Sequence, residues 1–103
     1  MLVWIAIVAL FFSVAAAKGE NREQWSPKQI DDYYQRLYDN CEERSCKDLN
    51  RYENLNCIHT CISETCYDLV YHNEPLEPGE VDLVREDQFI TCAKNGIVQG
   101  MIE

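Results

Sequence analysis

The sequence is poor in basic residues, and no two of them are adjacent. Nine lysines and arginines stand against eighteen aspartates and glutamates, so the formal net charge is −9. The negative electrostatic potential of such a chain repels phosphate backbones and anionic lipid surfaces, because both bind proteins by exchanging counterions for basic side chains. We therefore expect no nucleic-acid partner. The lack of a dibasic pair also argues against a precursor of peptide hormones.

Several chemical signatures are missing as well. There is no Asn-x-Ser/Thr acceptor, so N-glycosylation is not expected. There is no Cys-x-x-Cys motif to supply a thiol of low pKa, so redox catalysis is not expected. Neighbouring acidic residues such as Asp31 and Asp32 point about 100° apart on a helix, and therefore do not face each other as an acid–base pair would. We predict no catalytic residue, no cofactor and no enzymatic activity.

The first 17 residues contain no charged side chain. Residues 2–14 are almost entirely apolar, and Ala15, Ala16 and Ala17 precede the polar Lys18. Small residues one and three positions before a polar start are the pattern that signal peptidase cleaves. We interpret residues 1–17 as a signal peptide and expect no membrane contact after cleavage. An uncleaved anchor is the alternative, although a spanning helix needs about 20 apolar residues.

Six cysteines follow the apolar segment: Cys41, Cys46, Cys57, Cys61, Cys66 and Cys92. Their even number, in a chain that enters an oxidising compartment, indicates a disulfide framework. Crosslinks matter because the 86 residues after the signal peptide are too few to bury a large core. Each bridge contributes about 2–4 kcal/mol, mainly by restricting the unfolded chain.

Sequence alone leaves fifteen pairings of six cysteines open. One pairing follows if residues 41–46 and 57–61 form an antiparallel helical hairpin, because facing positions then have nearly constant sums of residue numbers. The sum is 103 for Cys46 with Cys57 and 102 for Cys41 with Cys61. Cys66 then remains for Cys92, and we favour this nested pattern.

Metal binding is the competing interpretation. Cys57 and Cys61, with His59 between them, superficially resemble zinc ligands. Oxidation competes with metal loading in a secreted protein, so we predict no zinc site. The acidic residues after position 73 suggest calcium, but they lack the spacing of the twelve-residue calcium loop. We predict no metal site and expect His59 to be a surface or packing residue.

Helical periodicity organises the rest of the chain. Residues 18–25 are polar and predict a flexible arm. Ser26 and Pro27 are typical of a helix cap and a first helical position, and apolar residues then recur at helical spacing. The pattern predicts a first helix over residues 27–43.

Two further helices are predicted. The second runs from about residue 54 to 71, with a break at Ser63. The third covers residues 81–94, ends at Asn95-Gly96, and has an inner face formed by Val84, Phe89, Cys92 and Ala93. We therefore predict an all-α, disulfide-stapled domain of about three helices over residues 26–96, followed by a tail over residues 97–103.

An acidic loop over residues 74–82 separates the last two helices. With two nearby tyrosines it forms the candidate interaction surface, whose residues are Glu74, Leu76, Glu77, Glu80, Asp82, Tyr67 and Tyr71. Aromatic side chains serve both interfaces and cores. The alternative is therefore that the loop caps the third helix and that both tyrosines pack on it.

Three short motifs follow one another in the cysteine-rich segment. They are Leu55-Asn56-Cys57 with Cys61, Ser63 with Cys66-Tyr67, and Pro75-Leu76-Glu77 with Gly79-Glu80 and Asp82. Over about residues 46–92 the chain resembles a small family of short secretory proteins of animals and plants that share a domain of unknown function. The resemblance implies a secretory address and disulfides, and it implies no activity.

These features favour a secreted, non-catalytic binding module with an unidentified protein partner and an unassigned oligomeric state. One alternative is a folding or assembly factor that stays in the lumen of the endoplasmic reticulum. Another is a small enzyme or enzyme inhibitor, which would need a cleft that holds His59 beside a carboxylate.

We predict that protein recovered from culture medium lacks about 17 N-terminal residues and is six hydrogens lighter than its reduced form, because three disulfides have closed. Intact-mass spectrometry before and after reduction measures both changes. An unprocessed cytosolic chain with free thiols would overturn the interpretation.

Overall fold

A computed structural model describes residues 21–102, which form four α-helices and no strand. The helices are α1 Pro27–Asn40, α2 Leu55–Ile62, α3 Glu64–Tyr71 and α4 Leu83–Val98. The predicted all-α fold class is confirmed. The predicted signal peptide, residues 1–17, lies outside the described residues. Within residues 21–102, none of the helices has the length and apolarity needed to cross a membrane.

The first helix begins at its predicted cap and ends in a different geometry. Ser26 Oγ accepts a hydrogen bond from the Gln29 N–H, and Gln29 Oε1 accepts one from the Ser26 N–H, at 3.2 and 2.8 Å. Beyond Asn40 the chain continues as a π-helical turn, Cys41–Ser45. The Cys46 N–H donates to the Cys41 carbonyl at 2.9 Å. Residues five apart diverge by about 140° on an α-helix, so the wider turn is what brings both cysteines to one side.

The second predicted helix is two helices, divided at the predicted break. Ser63 is extended, with φ −159° and ψ 106°, and it ends α2. Its Oγ accepts a hydrogen bond from the Cys66 N–H at 3.1 Å, which caps α3. One serine therefore terminates a helix, turns the chain and starts the next helix.

The structure contains the nested disulfide pattern. Cys41 pairs with Cys61 and Cys46 with Cys57, which joins the π-helical turn to α2. Cys66 pairs with Cys92, which joins α3 to α4. Three of these cysteines belong to the core, whose buried residues are Tyr34, Cys41, Cys46, Ile58, Ile62, Cys66, Tyr71, Phe89, Ala93 and Ile97.

The last helix extends beyond its predicted end. It passes through Asn95 and Gly96 to Val98, so the predicted stop is wrong and the domain boundary at residue 96 falls inside α4. The glycine that ends it is Gly100, with φ 75°. The Gly100 N–H donates to the Ile97 carbonyl at 3.1 Å and the Met101 N–H to the Gly96 carbonyl at 2.8 Å, the bonds of a left-handed glycine cap.

Gly96 instead makes room for the returning tail, since a Cβ there would lie 2.7 Å from Ile102 Cδ1.

The inner face of α4 also differs at one predicted position. Phe89 and Ala93 are fully buried, as predicted, and Ile97 continues the same stripe four residues later. Val84 is 70% exposed. It precedes Phe89 by five residues and therefore points about 140° away from it.

The described part of the predicted flexible arm is bound to the domain. The Arg22 N–H donates to the Val98 carbonyl, and Arg22 Nη1 donates to the Ile97 carbonyl at 2.9 Å. The guanidinium also lies 5.2 Å from the Trp25 ring and 5.0 Å from the Tyr33 ring. An arginine at the C-terminal end of α4 satisfies carbonyls that the helix itself leaves open, and this anchors residues 21–25.

We predict that Gly100→Ala lowers the free energy of unfolding by about 1–2 kcal/mol, because a Cβ is strained at positive φ. Gly100→Asn is the matched control and should cost clearly less, since asparagine tolerates this conformation. Urea unfolding of the oxidised protein measures both variants. Equal stabilities for the alanine variant and the native chain would contradict the assignment of this cap.

Candidate functional site: the acidic loop and its apolar cleft

The first half of the acidic loop, residues 74–82, is held by Asn56 of α2. Asn56 Nδ2 donates to the Leu76 carbonyl at 2.8 Å, and its Oδ1 accepts from the Leu76 N–H at 3.0 Å. The Tyr67 hydroxyl donates to the same Oδ1 at 3.2 Å. One amide side chain thus satisfies both backbone groups of Leu76 and ties the loop to two helices.

Arg85 of α4 joins the two ends of the loop. Its Nε donates to Asp82 Oδ2 at 2.6 Å, its Nη1 donates to the Glu74 carbonyl at 2.7 Å, and its Nη2 lies 3.4 Å from Glu80 Oε2. Asp82 also caps α4, accepting from the Arg85 N–H at 3.0 Å. Hydrogen bonds from the backbone and the guanidinium of Arg85 hold the pKa of Asp82 below its usual value. The loop therefore caps α4, as the packing alternative proposed.

A stack of rings lies beneath the loop. Tyr67 and Tyr71 stack at 5.2 Å between ring centroids, His59 lies 5.3 Å from Tyr71, and Phe89 lies 4.3 Å from His59. The Arg85 guanidinium covers the outer side of this stack, 4.8 Å from the Tyr71 centroid. Tyr71 is 1% exposed and belongs to the core, whereas Tyr67 is half-buried. Of the two tyrosines of the predicted surface, Tyr67 is therefore the one that solvent partly reaches.

His59 is a buried packing residue. It is 1% exposed, and its Nδ1 has no hydrogen-bond partner. Burial lowers its pKa from 6.5 to about 4, so the ring is neutral at physiological pH. A cavity of about 80 Å³ beside it is bordered by Glu80, Asp82 and Glu86. Residues 21–102 contain no group of three His, Cys, Asp or Glu side chains placed to hold a metal ion.

A largely apolar cleft of about 420 Å³ lies between residues 51–56, which form a turn and the start of α2, and the acidic loop. The Gly79 N–H donates to the Tyr52 carbonyl at 2.9 Å and joins the two walls. Gly79 has φ 78°, a conformation that favours glycine, so the loop turns sharply at this contact. The apolar lining is contributed by Tyr52, Leu55, Leu76, Pro78 and Val81.

Three apolar side chains are exposed where the loop enters α4. Val81 is 77% exposed, and Leu83 and Val84 are each 70% exposed. Residues 74–87 around them carry six acidic side chains and one basic side chain, Arg85. Exposed apolar residues with a rim of charged groups are typical of interaction surfaces. We name Val81, Leu83 and Val84 the apolar triad.

A larger groove of about 680 Å³ runs between α3 and α4. It is lined near the disulfide of Cys66 and Cys92 by Thr65, Thr91 and Met101. None of the seven residues of the candidate interaction surface borders it, and among residues 21–102 the one charged side chain in its lining is Asp87.

The residues of the predicted surface lie near one another but differ in exposure. Leu76, Glu80 and Asp82 lie around the buried rings, while Glu74 and Glu77 are exposed. The two side chains that organise the loop, Asn56 and Arg85, are not among the predicted site residues. A signal for Arg85 was available, since it is the one basic residue between Arg51 and Lys94.

The described residues form a small, disulfide-stapled, all-α domain. A family model described as a domain of unknown function, DUF4787, matches residues 31–92, which include all six cysteines and the acidic loop. The chain belongs to this family. No curated protein and no solved structure matches it.

We predict that His59 makes the fold sensitive to acid. Its pKa is 6.5 when exposed and about 4 in the folded protein, so the unfolded chain binds the proton more tightly. The stability that the neutral ring provides is complete above about pH 6.5 and is lost as the pH falls towards about 4. Between about pH 7 and pH 4.5, the native chain should lose about 2–3 kcal/mol more than His59→Phe, which keeps the ring and removes the titration.

Denaturant unfolding at the two pH values measures this difference. His59→Phe changes no other ionisable side chain, so the contribution of all other groups cancels in the comparison. An equal loss of stability in the native chain and in His59→Phe would show that His59 does not titrate below its ordinary range.

Proposed function

We propose that this protein is a secreted, non-catalytic module that binds another protein through the surface around the acidic loop. The observation that carries this proposal is the apolar triad, which is exposed beside a loop that side chains of two helices hold in place. Burying apolar surface of this kind is what drives most protein association.

The disulfides support the extracellular part of the proposal. All six cysteines are paired, and such bridges persist in oxidising compartments. Together with the apolar leader of the sequence, they favour export, with the lumen of the endoplasmic reticulum as the alternative address.

The surroundings of His59 support a non-catalytic role. The imidazole lies against Tyr71 and Phe89 and is almost wholly covered, so a bulky substrate does not reach it. A general base needs to lie within hydrogen-bond reach of the proton that it removes.

The rigidity of the loop supports binding. Asn56, Arg85 and the contact between Gly79 and Tyr52 order it before a partner arrives. Less conformational entropy is then lost on association, which strengthens binding.

We predict that tagged protein accumulates in the culture medium and captures a partner there only while its disulfides are intact. Reduced and alkylated protein is the control, because it keeps the sequence and loses the fold. Quantitative mass spectrometry compares the two captured sets. Accumulation in the lumen would favour the assembly-factor alternative, and identical captured sets would contradict a folded binding surface.

A further inference from the structure

We propose that the partner presents a basic segment with apolar side chains, which bind in the cleft between residues 51–56 and the acidic loop and on the adjoining apolar triad. This inference rests on the proposed function, and it names the chemistry of the partner and the place where it binds.

The negative charge of this surface favours a partner segment with positive charge. Six acidic residues and Arg85 lie within residues 74–87, so this stretch carries −5 of the formal net charge of −9. Arg85 is itself engaged with Glu80 and Asp82. Among residues 21–102, the charged residues that line the cleft are three acidic ones, Glu53, Glu77 and Glu80, and one basic one, Arg51, so the cleft itself is also net acidic. A cationic segment is therefore attracted to this face, and the attraction raises the rate of encounter. A second copy of this acidic chain is repelled from it.

Apolar contacts supply the binding affinity that exposed charges do not. Val81 borders the cleft and is also the first member of the apolar triad, so the two features are continuous. Leu83 and Val84 follow within three residues. A partner side chain the size of leucine that enters the cleft covers Val81 and Tyr52 at the same time. Exposed charge pairs contribute little by themselves, so these contacts decide affinity.

The cleft is formed in the free protein. Its two walls are joined by the hydrogen bond from the Gly79 N–H to the Tyr52 carbonyl. Asn56 fixes the position of Leu76 in the cleft lining, because its amide forms hydrogen bonds with both backbone groups of Leu76. Binding thus needs no rearrangement of the loop, and a short peptide is sufficient to occupy it.

The test uses capped ten-residue peptides and the oxidised, isotope-labelled protein, followed by NMR. The first peptide contains arginines and two leucines among serines. The second replaces its leucines with serine, and the third replaces its arginines with glutamate. We expect the first to shift the amide signals of Tyr52, Gly79, Val81 and Val84, and the other two to bind at least about tenfold more weakly.

Variants of the protein locate the site. Val81→Ser and Val84→Ser should each weaken binding of the first peptide several-fold, and their spectra show whether the fold is retained. Met101→Ser is the matched control, because Met101 is equally exposed, at 75%, and lies at the opposite end of α4. It should leave peptide affinity unchanged.

The outcomes separate this inference from the proposed function. Equal binding of the leucine and serine peptides, or shifts that follow the acidic residues over the whole surface, would overturn the cleft as the site. A partner captured from medium whose binding is unaffected by Val81→Ser and Val84→Ser would overturn it too, and would leave the proposed function standing. Absence of any captured partner would count against the proposed function itself.

Discussion

The covalent closure of six cysteines is the constraint on which the rest of this domain depends. Two of the helices, α2 and α3, have eight residues each, and the core that residues 21–102 form has ten buried apolar residues, three of which are half-cystines. A core of this size contributes little more than the conformational entropy that folding removes. The bridges lower the entropy of the unfolded chain instead. They also hold the π-helical turn against α2, and α3 against α4, so the loop between α3 and α4 starts and ends on fixed supports.

In the acidic loop, neighbouring side chains of the domain compensate the negative charges and the backbone polar groups. Its carboxylates would repel one another if they were left unpaired, and Arg85 balances two of them while covering the Tyr71 ring. The amide side chain of Asn56 forms hydrogen bonds with the N–H and the carbonyl of Leu76, two backbone groups that no helix satisfies. Side chains of the domain itself therefore pair with these carboxylates and backbone groups of the loop. Val81, Leu83 and Val84 are left as exposed apolar groups whose burial needs another molecule.

Periodicity and capping chemistry predicted much of the fold correctly. Ser26 starts α1 where expected, because its hydroxyl satisfies an N–H group that the helix leaves open. Ser63 interrupts the second predicted helix where a break was expected, and its hydroxyl also caps the helix that follows. The end of α4 was placed too early, because either Gly96 or Gly100 fits a sequence rule for helix ends. The choice between them depends on Arg22 and Ile102, which contact this end of α4 from distant and nearby parts of the chain.

The sequence by itself determined the helical class, the acidic charge and the even set of cysteines, because these follow from composition and local spacing. Only the tertiary structure decided that Tyr71 and His59 belong to the core, that Val84 is exposed, and that Asn56 and Arg85 shape the loop. The physical reason is that a side chain's burial and hydrogen-bond partners depend on which helices meet. The hydrogen-bond partners Asn56 and Leu76 are twenty residues apart in the chain, and the packed rings of His59 and Phe89 are thirty residues apart.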